Sequence, residues 1–366
     1  MTSKERVRAA LTRDRMPDRV PLQFDLSRAL GERLGEKYGI PVRYTPAHYA
    51  DVTYRISANE LRVGMGSDCV VVGMGLPTGY TPRVDESGLE FNEFGMGMRQ
   101  GPLYMDVIHY PLAGVESVRD VEEYELPDPL AEGRYQDAGE LIEKFGDRYF
   151  IVGDIEVTLW GLMQQLVGIE KLLMDTATGE PYVEALLEKC EGFAMAAGCK
   201  LISMGVDGIW LGDDFGTQKG MIMSPAMWRR KFKESYRRVY GALKAANPRV
   251  MIMQHCDGAV APILGDWIEV GLEVFNPVQP NVPGHDPVEL KKRFGQSLSF
   301  WGAIDQQQLL PFGTPAEIAA DVREKIRILG EGGGYMASPA HIIQEDTPLE
   351  NVEALIQAVV GTGVGG

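Results

Sequence analysis

The sequence predicts an α/β protein, an eight-stranded β/α barrel of the (β/α)8 TIM type. Three observations carry that expectation. Eight short apolar, β-rich runs recur along the 366 residues. Helix-like sequence separates each run from the next. Most runs are continuously apolar instead of alternating, as expected for strands buried on both faces of a parallel sheet. Eight such units favour a closed barrel over an open doubly wound sheet.

The runs are Arg19–Phe24, Asp68–Gly73, Arg148–Asp154 and Asp207–Asp213, then Arg249–His255, Leu272–Asn276, Leu298–Gly302 and Gly334–Ser338. Helix starts follow several of them. Ser224-Pro225 supplies an N-cap and a proline tolerated in the first turn. Thr314-Pro315-Ala316-Glu317 reads as a capping box, and Asp286-Pro287 opens a shorter helix. Thr347-Pro348-Leu349-Glu350 opens the last helix, again with a box-like glutamate. The chain reads as one domain over 1–366, with an insertion at about 76–136 after the second run. That insertion is rich in Gly, Met and aromatics at its start and acidic at its end. It is expected to form a β-hairpin and a capping helix, serving either as a lid at the catalytic mouth or as plain surface elaboration. The tail GTGVGG is expected to fray.

Composition narrows the function. Asp+Glu number 52 against 36 Lys+Arg, a formal charge of −16, which repels a phosphate backbone and argues against nucleic-acid binding. No apolar run reaches bilayer length, so no membrane span is expected. The charged start MTSKERVRAALTRDR lacks the apolar core of a signal peptide. Four cysteines without a C-x-x-C pair fit a reducing, cytoplasmic setting.

In a barrel the active site forms at the C-terminal ends of the strands. Those ends carry Gln23 and Asp25, Asp154 and Glu156, Asp213, Asp214 and Gln218, His255 and Asp257, Asn276 and Gln279, Asp305 and Gln306, and Ser338 and His341. Carboxylates and amides dominate this ring, and cations are few. His255 and Asp257 lie two apart at a strand end, so extended backbone aims both at one point. Imidazole and carboxylate suit a divalent metal, zinc first, with His341 as a third ligand from another strand end. His255 oriented by Asp257 as a metal-free acid/base pair is a second reading, and a histidine bonded into a loop, which the short H-x-D spacing taken alone favours, is a third. Cys256, between them, faces away and packs. Of Asp213 and Asp214, adjacent carboxylates that face opposite sides, Asp214 is expected at the pocket with Gln218 as a polar orienter. Helix-start electrostatics is the other reading. Asp154 and Glu156, also two apart, can converge for acid/base work. Trp160, Trp210 and Trp301 either line an apolar pocket or fill the core. Gly332-Gly333-Gly334 precedes a strand and lacks a P-loop lysine, so no phosphate loop is read there.

These residues resemble the uroporphyrinogen decarboxylase superfamily. The resemblance runs through RMPDRVP, GDDFGTQKGMIMSP, HCDGAVAPILGDWIEVGLEVFNPVQP, WGAIDQQQLLPFGTP and GGGYMASPAHIIQEDTPLENVEAL. It implies an eight-fold β/α barrel with one of two activities: decarboxylation of a tetrapyrrole without cofactor, or metal-assisted methyl transfer to or from a corrinoid. The decarboxylases carry R-Q-A-G-R after the first strand, where this chain reads QFDLSRAL and keeps only Arg28. They also carry an aspartate late in the second strand, where this chain reads VVVGMG. The coenzyme M methyltransferases bind zinc through H-x-C and a later Cys, and the matching positions here are His255-x-Asp257 and His341. The resemblance therefore favours a corrinoid (cobalamin)-dependent methyltransferase or O-demethylase. It would act on a methylated small molecule with a corrinoid-carrying partner protein. Metal would sit on His255, Asp257 and His341, catalysis on Asp214, Glu156, Asp154 and Gln218, and substrate contacts on Asn276, Gln279, Trp160, Trp301, Asp305 and Gln306. Tetrapyrrole decarboxylation and non-catalytic binding of a tetrapyrrole-like ligand are the alternatives. Barrels of this family often dimerise, so a homodimer is expected by the same resemblance.

Overall fold

The computed structural model describes residues 1–47, 54–101 and 105–361. Seven parallel strands form one curled sheet. Its order is β1 (Cys69–Gly73), β6 (Phe150–Glu156), β7 (Gly208–Gly212), β8 (Met251–His255), β9 (Val274–Val278), β10 (Ser299–Ile304) and β11 (Tyr335–Pro339). The leading run closes the circle. Leu22 bridges Ala337 of β11, and its carbonyl accepts the Asp68 N–H next to β1. Every strand of the sheet falls within two residues of an apolar run in the sequence.

Alternation divides each strand between two cores. Val71, Val152, Trp210, Met253, Val274, Trp301 and Met336 pack inside the barrel. Val70, Ile151, Ile209, Ile252, Phe275 and Phe300 face the surrounding helices. Continuing the inward phase along β6 and β8 brings Asp154, Glu156 and His255 to the mouth. At the opposite end the first helix, Ser3–Thr12, pushes Val7 and Leu11 into the inner cluster and plugs the floor.

The caps read from sequence at Ser224, Asp286 and Thr314 are formed, with a complete capping box at Thr314/Glu317. The last helix departs from expectation. It starts at Leu349 without a side-chain cap, and Thr347 is buried beside it. The insertion departs too. Instead of one hairpin it is a four-stranded antiparallel meander, β2 (Arg83–Val84), β3 (Glu90–Phe91), β4 (Gly97–Gln100) and β5 (Met105–His109), followed by the short helix Val118–Glu123. Two strands of two residues each are too short to leave a period in the sequence. The helix Gln136–Phe145 then packs on β1 and returns the chain to the barrel. Residues 362–366, most of the glycine-rich tail, lie outside the described residues. No helix among the described residues is long and apolar enough to cross a membrane.

Candidate metal centre and pocket

His255 ends β8, almost fully buried, with its ring edge-on to Trp210 below it. Its Nδ1 lies 2.7 Å from Asn276 Oδ1 at the corresponding level of β9. As the amide is oriented, its oxygen accepts, so Nδ1 carries the proton and Nε2 keeps its lone pair toward the pocket. Burial and the Arg55 guanidinium hold the imidazole well below its usual pKa, so it is neutral, as a ligand must be.

Three carboxylates face that lone pair. Glu156 Oε1 lies 3.5 Å from His255 Nε2, and Asp214 and Asp257 each lie 3.9 Å from it. His341 enters from the loop after β11, its Nε2 3.7 Å from Asp257. Burial lowers its pKa to about 4. One donor atom each from His255, Asp257 and His341 lies within 4.8 Å of the others. A tetrahedral zinc with bonds of about 2.0–2.2 Å needs donors about 3.3–3.5 Å apart, within reach of small side-chain adjustments. Two neutral imidazoles, one carboxylate and an open side toward a pocket fit a divalent metal.

The neighbouring acids are poorly compensated. Burial raises the Asp257 and Asp214 carboxyls to about 6 and that of Asp154 to about 7. Asp214 keeps 55% of its side-chain surface, yet it sits deep in the mouth, beside Asp257. That depth and the neighbouring negative charge, more than contact area, set its proton affinity. Its Oδ1 accepts the Asp257 N–H at 2.7 Å, tying the two acids together. Asp213, one residue earlier, turns outward. It accepts the N–H groups of Leu159 and Gly161 and the Tyr236 hydroxyl, and so anchors the helix Trp160–Val167. The helix-start role belongs to Asp213 and the pocket position to Asp214.

Sequence reasoning missed the cation of the site. Arg55, 2% exposed, stacks 4.2 Å over Trp210, pairs with Glu156 and lies 3.8 Å from Asp25. Asp25 is held in turn by buried Arg62. Both arginines lie before β1, at no strand end, and no local pattern marks them. Arg28, the cation that remains after the first run, is instead exposed and paired with Glu32. Two backbone features aim Glu156. Val157 after it takes φ 62°, a strained value for a β-branched residue. Gly212 beside it lacks the Cβ that would lie 2.2 Å from Glu156 Cγ.

A pocket of about 440 Å³ opens above this centre. Asp154, Glu156, Asp214, Gln218, His255, Asp257, Gln279, Gln306 and His341 all line it. Four other expected site residues do not. Asn276 is turned onto His255, so it orients the ring and does not face the pocket. Trp160 is packed against Phe215 and Phe232 in the outer core. Trp301 stacks on Trp210 inside the barrel, with its indole N–H on Gln23. Asp305 accepts the N–H groups of Gln307 and Gln308 and the Asn281 amide, closing its own loop. Cys256 is buried, with Sγ accepting the Phe215 N–H.

Fold and site together define a β/α barrel with a metal-competent, acid-rich mouth. The model of the uroporphyrinogen decarboxylase family (URO-D) matches residues 89–361, and the chain belongs to that family. Within it, a 71-residue stretch is 34% identical to the uroporphyrinogen decarboxylase of Nitrosospira multiformis, covering 19% of each protein. A methyltransferase from Methanosarcina mazei superposes over 99% of both chains, with a TM-score of 0.72 and 22% sequence identity. That likeness shows a shared fold.

Proposed function

We propose that the protein is a metal-assisted, corrinoid-dependent methyltransferase that removes a methyl group from a small methylated molecule and passes it to a corrinoid carried by a partner protein. The observation that carries this reading is the convergence of His255, Asp257 and His341, with the His255 tautomer fixed by Asn276, on an open pocket. The fold shared with a methyltransferase supports it.

A divalent metal, zinc first, held by these three residues supplies Lewis acidity toward the donor's ether or hydroxyl oxygen. The chain's own groups do the rest. Asp214, its carboxyl raised to about 6, is placed to pass a proton to the oxygen that loses its methyl group. Arg55 holds Glu156 beside His255. Gln218, Gln279 and Gln306 offer polar contacts to the donor. Relative to thiolate ligands, a carboxylate and an imidazole leave a harder metal, suited to oxygen.

The test is metal content by mass spectrometry together with methyl transfer to cob(I)alamin, followed by its visible spectrum. Near-stoichiometric metal and transfer in wild type, both lost in His255→Ala and Asp257→Ala, support the reading. Transfer that survives in His255→Ala overturns the metal role. Tetrapyrrole decarboxylation is the second reading, favoured by the family match and the Nitrosospira segment. It meets a charge problem. Among the described residues no Lys or Arg lines the pocket, and a polycarboxylate needs cations to hold it. Carbon dioxide release from uroporphyrinogen would favour that reading. A visible tetrapyrrole-like band that copurifies without turnover would favour a binding protein.

A further inference from the structure

The pocket has two unlike ends. One holds the metal ligands and acids. The other is mainly apolar: Met74, Leu162, Phe193, Ala194 and Ala197 line it, with Gln165 beside Leu162, and Phe94 joins them from the inserted sheet. Phe94 is 2% exposed and meets Phe193 edge to face at 5.6 Å.

The turn that delivers Phe94 is pinned at every residue. Asn92 Oδ1 accepts the N–H groups of Phe94 and Met96, and the Asn92 N–H donates to the Met96 carbonyl. The Tyr124 hydroxyl donates to the Phe94 carbonyl at 2.7 Å. Glu93 pairs with Arg134, both almost fully buried, and Arg134 also donates to the carbonyls of Gly75 and Asp128. A buried ion pair and these four hydrogen bonds of Asn92 and Phe94, with a fifth from the Gly95 N–H to the Asn92 carbonyl, hold a five-residue turn that puts one ring against the pocket. Beside Phe193, Ala194 and Ala197 lie three apart on the helix Pro181–Ser203, so they share a face and leave room there. Apart from the metal position, the described residues of the pocket offer no charged side chain to an anion. Its charged side chains are acids, and Arg55 is committed to Glu156 beneath it.

From this juxtaposition we infer that Phe94 is a specificity-determining residue. The pocket takes an uncharged methylated compound with an apolar body, and Phe94 sets how long that body can be. The inference rests on the methyl-transfer reading of the same site, but its test is a binding measurement that needs no transfer.

The probes are anisole, 2-methoxynaphthalene and 4-methoxybenzoate, titrated into full-length protein freed of metal, so that a carboxylate gains nothing by ligation, with zinc restored only for the transfer assay. 2-Methoxynaphthalene is read by its own fluorescence and the others by competition against it. Wild type should bind anisole at least tenfold more tightly than 4-methoxybenzoate. Phe94→Ala should shift preference toward 2-methoxynaphthalene over anisole by at least tenfold. Ala197→Leu, which fills the pocket from the helix Pro181–Ser203, should shift it the opposite way and serves where Phe94→Ala does not fold. An unchanged ratio in a Phe94→Ala protein of wild-type melting temperature overturns the role of Phe94. So does an equal loss of both neutral probes in Ala197→Leu. Equal binding of 4-methoxybenzoate and anisole overturns the uncharged donor. If no bound probe ever yields its methyl to cob(I)alamin while the size ranking holds, the methyl-transfer reading fails and the pocket assignment stands.

Discussion

The barrel carries acids at both of its ends, and the two ends treat them differently. At the floor, Asp68 is fully buried between Arg6 and Arg19, and its Oδ2 accepts the Leu22 N–H. Asp207 is held by Lys4 and Arg8 and accepts the Ile151 N–H. Each precedes a strand and clasps the backbone of the strand beside it. At the mouth, Asp154 near the end of β6 and Asp214 and Asp257 just after β7 and β8 have little positive charge among them, and their carboxyls are raised toward neutrality. The residue type is shared. The cation supply decides whether it acts as mortar or as a proton-active group.

Variants can break this contrast. Asp68→Ala should have the largest effect on the fold. It strands Arg19 in a partly buried site, takes one of two partners from Arg6, which keeps Asp18, and frees the Leu22 N–H; such a loss typically costs about 3–5 kcal/mol, and denaturant titration measures it. Asp214→Asn at the mouth should leave stability nearly unchanged and lower methyl transfer by about 10²–10⁴-fold. If Asp214→Asn unfolds the protein, the two ends are alike and the contrast fails. Asn276→Ala should weaken metal binding by about 10–100-fold with little change in the pocket, because it releases the tautomer of His255; competition with a zinc chelator measures it.

Proton linkage sharpens the same comparison. The Asp154 carboxyl sits at about 7 in the folded chain, raised above its ordinary 3.8. The folded state therefore holds a proton that the unfolded state has lost between those values, and this contribution to stability falls as pH rises from about 4 to 7. Melting curves of metal-free protein should show wild type losing ground to Asp154→Asn as pH climbs through that window. Asparagine keeps an acceptor for the Glu156 N–H, which aspartate now fills at 2.8 Å. The smallest effect belongs far from either end: Thr314→Ala removes a capping box and should cost about 1 kcal/mol.

Much of this architecture is legible in the residues. The strands are, because burial on both faces leaves continuous apolar runs. The inward phase along β6 and β8 is too, so His255, Asp257, Asp154 and Glu156 stand out at strand ends. His341 needs only the closure of the barrel to reach Asp257. Arg55 is invisible by this logic: its partners Glu156 and Trp210 are distant in sequence, and only the fold brings them together. Phe94 is hidden for another reason. Its turn is specified by bonds to Tyr124 and Arg134, not by a repeating pattern. The tryptophans mislead because a large ring near a strand end fills the core as readily as a pocket, which Trp160 and Trp301 do.

The helix that plugs the floor has a consequence for traffic. With Val7 and Leu11 wedged among the inner side chains, the barrel is a blind well. Whatever reaches His255 must come and go through the mouth, past Gln218, Gln306 and His341. A macromolecule that seats on that mouth to receive a group from the bottom also corks it. Loading must then precede docking, and the spent small molecule must wait for undocking. Steady-state kinetics of such a well would show a compulsory order, with the rate of partner departure setting the ceiling on turnover.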